Sequence, residues 1–140
     1  MAGFGQPADA PCPCGGGPYA SCCRPFHRGE ALPVTAEQLM RSRYSAYSLG
    51  VIDYLLQTHP SEVPEAQRRQ ELKASCRAVR WIRLRITGRD AGGAGDLTGT
   101  VTFEAHYRQG GQAGVLREHS RFGREGGVLD GRWLYLDAEG

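Results

Sequence analysis

Apolar residues recur at helical spacing through the first half of the chain and at alternate positions through the second. Thr35-Ala36-Glu37-Gln38 reads as a capping box, with Thr35 placed to accept from the early amides of a helix. Met40, Tyr44, Tyr47, Val51 and Leu55 follow at three- and four-residue steps and form one apolar face. Gly50 bends or splits that run, and His59-Pro60 ends it. A further helix begins near Pro64 and carries Leu72 and Cys76 four residues apart, with Arg68, Arg69 and Glu71 on its solvated side.

From Val79 the period becomes two. In VRWIRLRIT, Ile82, Leu84 and Ile86 share one face, and Arg83, Arg85 and Thr87 the other. After the turn DAGGAGD, Leu97, Val101, Phe103, Ala105 and Tyr107 alternate with Thr100, Thr102, Glu104 and His106. Gly110-Gly111 marks a hairpin turn. GVLREHSRF and WLYLD supply two more strands, separated by a loop holding Gly126 and Gly127. Helices followed by an antiparallel meander predict an α+β fold.

Composition narrows the class. A chain of 140 residues with 40% hydrophobic and 23% charged positions suits one compact domain, and a formal charge of +2 does not by itself mark a nucleic-acid binder. No apolar run reaches the eighteen or so residues of a membrane span, and MAGFGQPADAP lacks the features of a secretory signal. The expected compartment is the cytoplasm, where thiols stay reduced.

That compartment bears on CPCGGGPYASCC, which holds four of the five cysteines: Cys12, Cys14, Cys22 and Cys23. Three arrangements compete: disulfides, unrelated thiols and a metal site. A disulfide within either close pair closes a small strained ring, and pairing across the motif needs an oxidising setting. Four soft ligands suit tetrahedral zinc, provided that Gly15, Gly16 and Gly17 let the loop fold back. Structural zinc with all four positions filled by protein is the favoured outcome, and such a closed site is not catalytic. His27, four residues beyond Cys23, is an alternative fourth ligand.

The segment CPCGGGPYASCC looks like the SEC-C motif, the small zinc-binding module that also ends the translocation motor SecA. With LMRSRYSAY at 39–47 and SRFGREGGVLDGRWLYLD at 120–137, the chain resembles the bacterial YchJ family from Cys12 to Asp137. The resemblance implies a SEC-C lobe over residues 1–28, with a flexible N-terminus. It also implies a nuclear transport factor 2-like domain over 29–140, a helix-plus-curved-sheet cone. One structural zinc is implied, held by Cys12, Cys14, Cys22 and Cys23. The seven-residue loop between the cysteine pairs is one residue shorter than in the usual motif.

That fold often encloses a pocket, so the inward parity of each strand matters. Leu116, Glu118, Ser120 and Phe122 share one parity, which places a carboxylate beside apolar groups and makes Glu118 the candidate functional acid. The plainer role is an ion pair with Arg41 or Arg43 that locks helix to sheet. Tyr44, Tyr107 and Trp133 join Glu118 as candidate pocket residues, and no catalytic residue is assigned. His106 and His119 alternate with polar neighbours and read as surface histidines; Cys76 reads as a buried free thiol. Trp81, Arg83, Arg85, Arg117 and Arg121 are expected on the outer sheet face, a candidate patch for RNA or the ribosome.

Two functional classes follow. One is an adaptor whose zinc lobe presents a rigid surface to a protein partner, as the resemblance to the SecA module, which contacts the chaperone SecB, implies. The other is a small-molecule-binding protein or enzyme that uses the pocket.

Overall fold

The computed structural model describes residues 10–139. The N-terminal lobe opens with a bridge between Pro11 and Pro18, a short 3₁₀ turn at Tyr19–Ser21 and helix α1 (Arg24–His27). The stretch expected to be flexible at the extreme N-terminus falls, over residues 1–9, outside the described residues.

Helix α2 (Ala36–Leu49) starts where the capping box placed it. Thr35 Oγ1 accepts from the Gln38 amide at 3.1 Å, and the Gln38 side chain reaches back to accept from the Val34 amide at 2.7 Å. Gly50 ends the helix with φ 76°, a left-handed turn that L side chains adopt at a cost. The apolar run is therefore split, and α3 (Ile52–Gln57) resumes it before α4 (Glu65–Ala78).

Four strands follow as an antiparallel meander: β1 (Arg80–Ala91), β2 (Thr98–Gln109), β3 (Gln112–Arg124) and β4 (Trp133–Glu139), in the order β1-β2-β3-β4. Gly110 and Gly111, with φ 58° and 82°, join β2 to β3 in a two-residue turn. The pairing of β2 with β3 is uninterrupted from Thr98↔Gly123 to Gln109↔Gln112, so the period-two reading holds along both strands.

Strand β1 departs from it. The register slips between Trp81 and Arg83, and Ile82 is the extra residue. A bulge reverses the parity on one side of it, so Trp81 turns inward with Leu84 and Ile86 while Ile82 is left 51% exposed. Two expectations are corrected by this slip: Ile82 does not belong to the inner face, and Trp81 does not belong to an outer patch with the arginines. Two of those arginines, moreover, are paired, Arg117 with Glu104 and Arg121 with Asp137 and Glu139. Leu97 also differs from expectation, since it precedes β2 and stays exposed.

One hydrophobic core unites lobe, helices and sheet: Cys12, Cys14 and Cys23 pack in the same cluster as Leu39, Tyr54, Val101, Phe122 and Trp133. No described helix is long and apolar enough to cross a membrane.

Candidate metal centre and cavity

Helix α2 carries two sites on two faces. Toward the N-terminal lobe it presents Arg41, Ser42 and Ser45; toward the sheet it presents Met40, Arg43, Tyr44 and Tyr47.

On the lobe side, the Sγ atoms of Cys12, Cys14, Cys22 and Cys23 all lie within 4.8 Å of one another. Separations of 3.5 Å for Cys14–Cys22, 3.7 Å for Cys14–Cys23 and 3.9 Å for Cys22–Cys23 are far too long for disulfides, and all four are free thiols. They match a tetrahedron: bonds of about 2.3 Å from zinc to sulfur put neighbouring sulfurs about 3.8 Å apart. Gly16 completes the cradle. A Cβ there would meet Cys22 Sγ at 2.9 Å and Cys14 Sγ at 3.3 Å, so the loop wraps the sulfurs closely only without a side chain.

The thiols cannot share this space as anions without a cation among them. The Cys12 thiol is held far below its ordinary range by hydrogen bonds from Cys14 and then Cys23. Cys23 is pushed up, first by its contacts with Cys12 and Cys14 and then by burial. Cys22 is pushed up to about 12, first by burial and then by Cys14. A divalent metal ion bound directly by the thiolates would resolve this conflict.

His27 is not a ligand. Its Nε2 donates to the Ser42 carbonyl at 2.8 Å, which leaves Nδ1 to accept from the Tyr19 hydroxyl at 2.8 Å. Both ring nitrogens are committed, and the ring packs against Tyr54 as part of the joint between lobe and α2.

Ser45 Oγ lies 3.3 Å from both Cys12 Sγ and Cys23 Sγ, and Arg41 Nη1 donates to the Cys14 carbonyl at 2.8 Å. Such contacts orient ligands and spread their negative charge. Arg41 is held in turn by Glu37, which also takes Arg89 from β1. Burial opposes the charge on Glu37, but the bonds from Arg41 and Arg89 outweigh it and hold the carboxyl below its usual range.

The cysteine motif and the cavity domain together match a known family. The model described as "YchJ, middle NTF2-like domain" matches residues 35–138. A UPF0225 protein of Ralstonia nicotianae is 50% identical over 144 residues, covering 95% of each chain. The chain belongs to the YchJ family. Another relative, a UPF0225 protein of Streptomyces coelicolor, is 46% identical over 131 residues, covering 92% of this chain and 94% of that one. Two solved structures share the fold. The solution structure of a SEC-C motif containing protein from Rhodopseudomonas palustris superposes with a TM-score of 0.77 at 32% identity, covering 93% of this chain and 98% of that one. The crystal structure of a SEC-C motif containing protein from Psychrobacter arcticus gives 0.73 at 26% identity, covering 93% and 82%. This member of the YchJ family is thus a SEC-C motif protein with an NTF2-like α+β domain and a cysteine cluster able to hold a metal ion.

On the sheet side of α2 lies a cavity of about 260 Å³. Glu118 lines it with Leu116, Ser120 and Phe122, because β3 keeps register with β2. Tyr44 lines it too. Trp133 and Tyr107 are not among its lining residues. Trp133 is fully buried elsewhere, with Nε1 donating to the Val34 carbonyl at 3.0 Å and Arg124 stacked 4.2 Å from its ring. Tyr107 stands edge-on to Trp81 at 5.5 Å, its ring lying over Gly114.

The ion pair between Glu118 and Arg41 or Arg43 does not form. Glu118 accepts from Ser120 Oγ at 3.2 Å, Arg41 serves Glu37 and the lobe, and Arg43 donates to Leu55 O and Thr58 Oγ1. Arg43 and Trp81 are among the cavity residues that sequence reasoning missed, as are Tyr47, Ser75 and Tyr135. An arginine within an apolar helix face was the available signal for Arg43, whereas the bulge hid Trp81. His119 accepts or donates at Thr102 Oγ1, 2.7 Å away on the outer face, and Cys76 is half-buried with its thiol pushed up by burial.

Proposed function

We propose that this member of the YchJ family is a zinc-stapled binding protein whose ligand site is the cavity beneath α2. One zinc ion held by Cys12, Cys14, Cys22 and Cys23 clamps the N-terminal lobe to one face of α2, and the other face of the same helix roofs the cavity. The two-faced helix is the observation that carries this function: Ser45 meets the cysteines while Arg43 and Tyr44, its near neighbours, line the cavity. With four thiolates filling the coordination sphere, the metal stiffens and does not activate water. Glu118 and Ser120 then supply polar contacts in an otherwise largely apolar chamber.

The test is a fragment screen read by NMR on the metal-loaded full chain, repeated with Ala105→Phe, which fills the chamber from β2. Hits that move Trp81 and Tyr44 resonances and vanish in Ala105→Phe support the cavity as the binding site. Hits unaffected by the substitution place binding elsewhere.

An adaptor role has its own observation: Gly15, Gly17 and Ser21 form an exposed rim around the half-buried Cys22. A partner, protein or ribosomal, that contacts this rim is captured from lysate by the intact chain and not by a Cys22→Ser, Cys23→Ser variant whose main domain remains folded. Absence of any such difference removes the adaptor role.

A further inference from the structure

The cavity contains a cation without a partner. Arg43 is only 8% exposed, yet its guanidinium meets no carboxylate among the described residues. Nη1 donates to the Leu55 carbonyl at 3.1 Å and to Thr58 Oγ1 at 2.7 Å, both neutral acceptors. Nε and Nη2 make no hydrogen bond to a described residue. The charge is met only by ring faces, Tyr135 at 4.9 Å and Tyr47 at 6.0 Å from the centroids. A buried guanidinium stays charged, and leaving it without a counter-ion is among the costlier arrangements a fold can hold.

A second donor on the same walls is also unused. Trp81 Nε1 is buried and has no acceptor among the described residues. The bulge at Ile82 that turns Trp81 inward sets its ring edge-on to Tyr44 at 5.8 Å. An indole that is buried ordinarily finds a partner for its N–H, as Trp133 does with Val34. The guanidinium without a counter-ion and the indole N–H without an acceptor, both on residues that line this chamber, have a common remedy, a ligand rich in acceptors.

We propose that the cavity binds a small monocarboxylic acid with an aromatic or other apolar body. Its carboxylate is received by the guanidinium of Arg43, with the indole N–H of Trp81 as a further donor. Phe103, Ala105, Leu116 and Phe122 enclose the body. Three features set this class. An anion is called for because Arg43, the buried charge of the chamber, meets no counter-ion among the described residues. A dianion such as a phosphate monoester is disfavoured because Glu118 lines the same chamber and repels a second negative charge. The volume of about 260 Å³ lies below the range of roughly 300–1,000 Å³ typical of pockets for drug-sized molecules, which limits the ligand to a small acid. This inference rests on the cavity being the binding site.

The experiment titrates benzoate, phenylacetate and 3-phenylpropionate, each beside its neutral amide, into the ¹⁵N-labelled, metal-loaded full chain. The Trp81 indole N–H reports the cavity, and the Trp133 indole, bonded to Val34, is the internal reference. At least one acid is expected to shift Trp81 saturably while Trp133 stays still, with its amide binding at least tenfold more weakly. Arg43→Lys, which keeps a charge but loses the planar fork, weakens the acid about tenfold and leaves the amide unchanged. Trp81→Phe keeps the wall, leaves the Arg43 contacts intact and weakens the acid roughly threefold to tenfold by calorimetry. Equal binding of acid and amide overturns the anion assignment but leaves the cavity as the site. Failure of every probe to shift Trp81 overturns both. Should Arg43→Lys not fold, an unchanged acid affinity in Trp81→Phe decides against the proposal.

Discussion

Ser45 Oγ lies 3.3 Å from Cys12 Sγ, although 33 positions separate the two residues in the chain. The hydroxyl sits at the same distance from Cys23 Sγ, so a single α2 side chain touches both halves of the cysteine motif. The lobe is consequently part of the main core, and a metal held by the cysteines would act on α2 as much as on its own loop.

Metal removal therefore destabilises the whole protein. Chelation exposes Cys12, Cys14 and Cys23, now buried, and releases the lobe side of α2. A loss of several kcal/mol is expected, or a fall in the thermal midpoint of about 10–20 °C, measured by scanning calorimetry before and after exhaustive chelation. An unchanged midpoint in a preparation shown to have lost its metal contradicts the clamp.

Gly16 gives a finer test of the cradle. In Gly16→Ala the new Cβ meets Cys22 Sγ at 2.9 Å and Cys14 Sγ at 3.3 Å, so the loop must open. Zinc affinity measured by competition with a chromophoric chelator should drop by about 10- to 100-fold. Wild-type affinity in the variant means that the loop does not grip the sulfurs as described.

Thr35→Ala provides the contrast. It deletes the N-cap of α2, where Oγ1 accepts from the Gln38 amide, without touching any cysteine. Stability should fall by about 1 kcal/mol in denaturant titrations while metal content stays unchanged. A loss of metal in this variant contradicts the assignment of the lobe joint to Arg41, Ser42 and Ser45.

His59 makes stability depend on pH. Burial holds its pKa below the ordinary 6.5; the bond from Nδ1 to the Tyr135 carbonyl offsets part of this, and Arg43 and Arg68 add to the depression. The unfolded chain thus takes up a proton at this site at a higher pH than the folded chain does. The stability contributed by neutral His59 is present above pH 6.5 and lost as pH falls through the interval between 6.5 and the lower folded value. Denaturation at pH 7.5, 6.5 and 5.5 should show wild type losing more stability on acidification than His59→Gln. Parallel losses contradict this role.

Much of the architecture is legible in the sequence because local chemistry and tertiary packing agree. Thr35 and Gly50 bound α2 where their chemistry requires, and the alternation from Val101 to Ala105 survives because β2 keeps an unbroken register with β3, the extra residues of the β1 pairing lying on β1. Glu118 faces inward for the same reason. Strict alternation misplaces Trp81 because one extra residue, Ile82, reverses parity, and no residue in WIRLR announces a bulge. The sequence does not distinguish a pocket place from a core place for Trp133, because an aromatic at a strand start has no direction of its own; its place in the core depends on Val34, 99 positions away. The cysteine spacing showed which residues gather, but His27 could be excluded only once Tyr19 and Ser42 were seen to occupy both its nitrogens.

X-ray absorption at the zinc edge of the purified full chain tests the clamp most directly. One zinc per chain, surrounded by four sulfurs at about 2.3 Å with no nitrogen or oxygen neighbour, is the predicted result. A chain that carries no zinc, or a zinc whose shell includes nitrogen or oxygen, contradicts a closed centre built from Cys12, Cys14, Cys22 and Cys23.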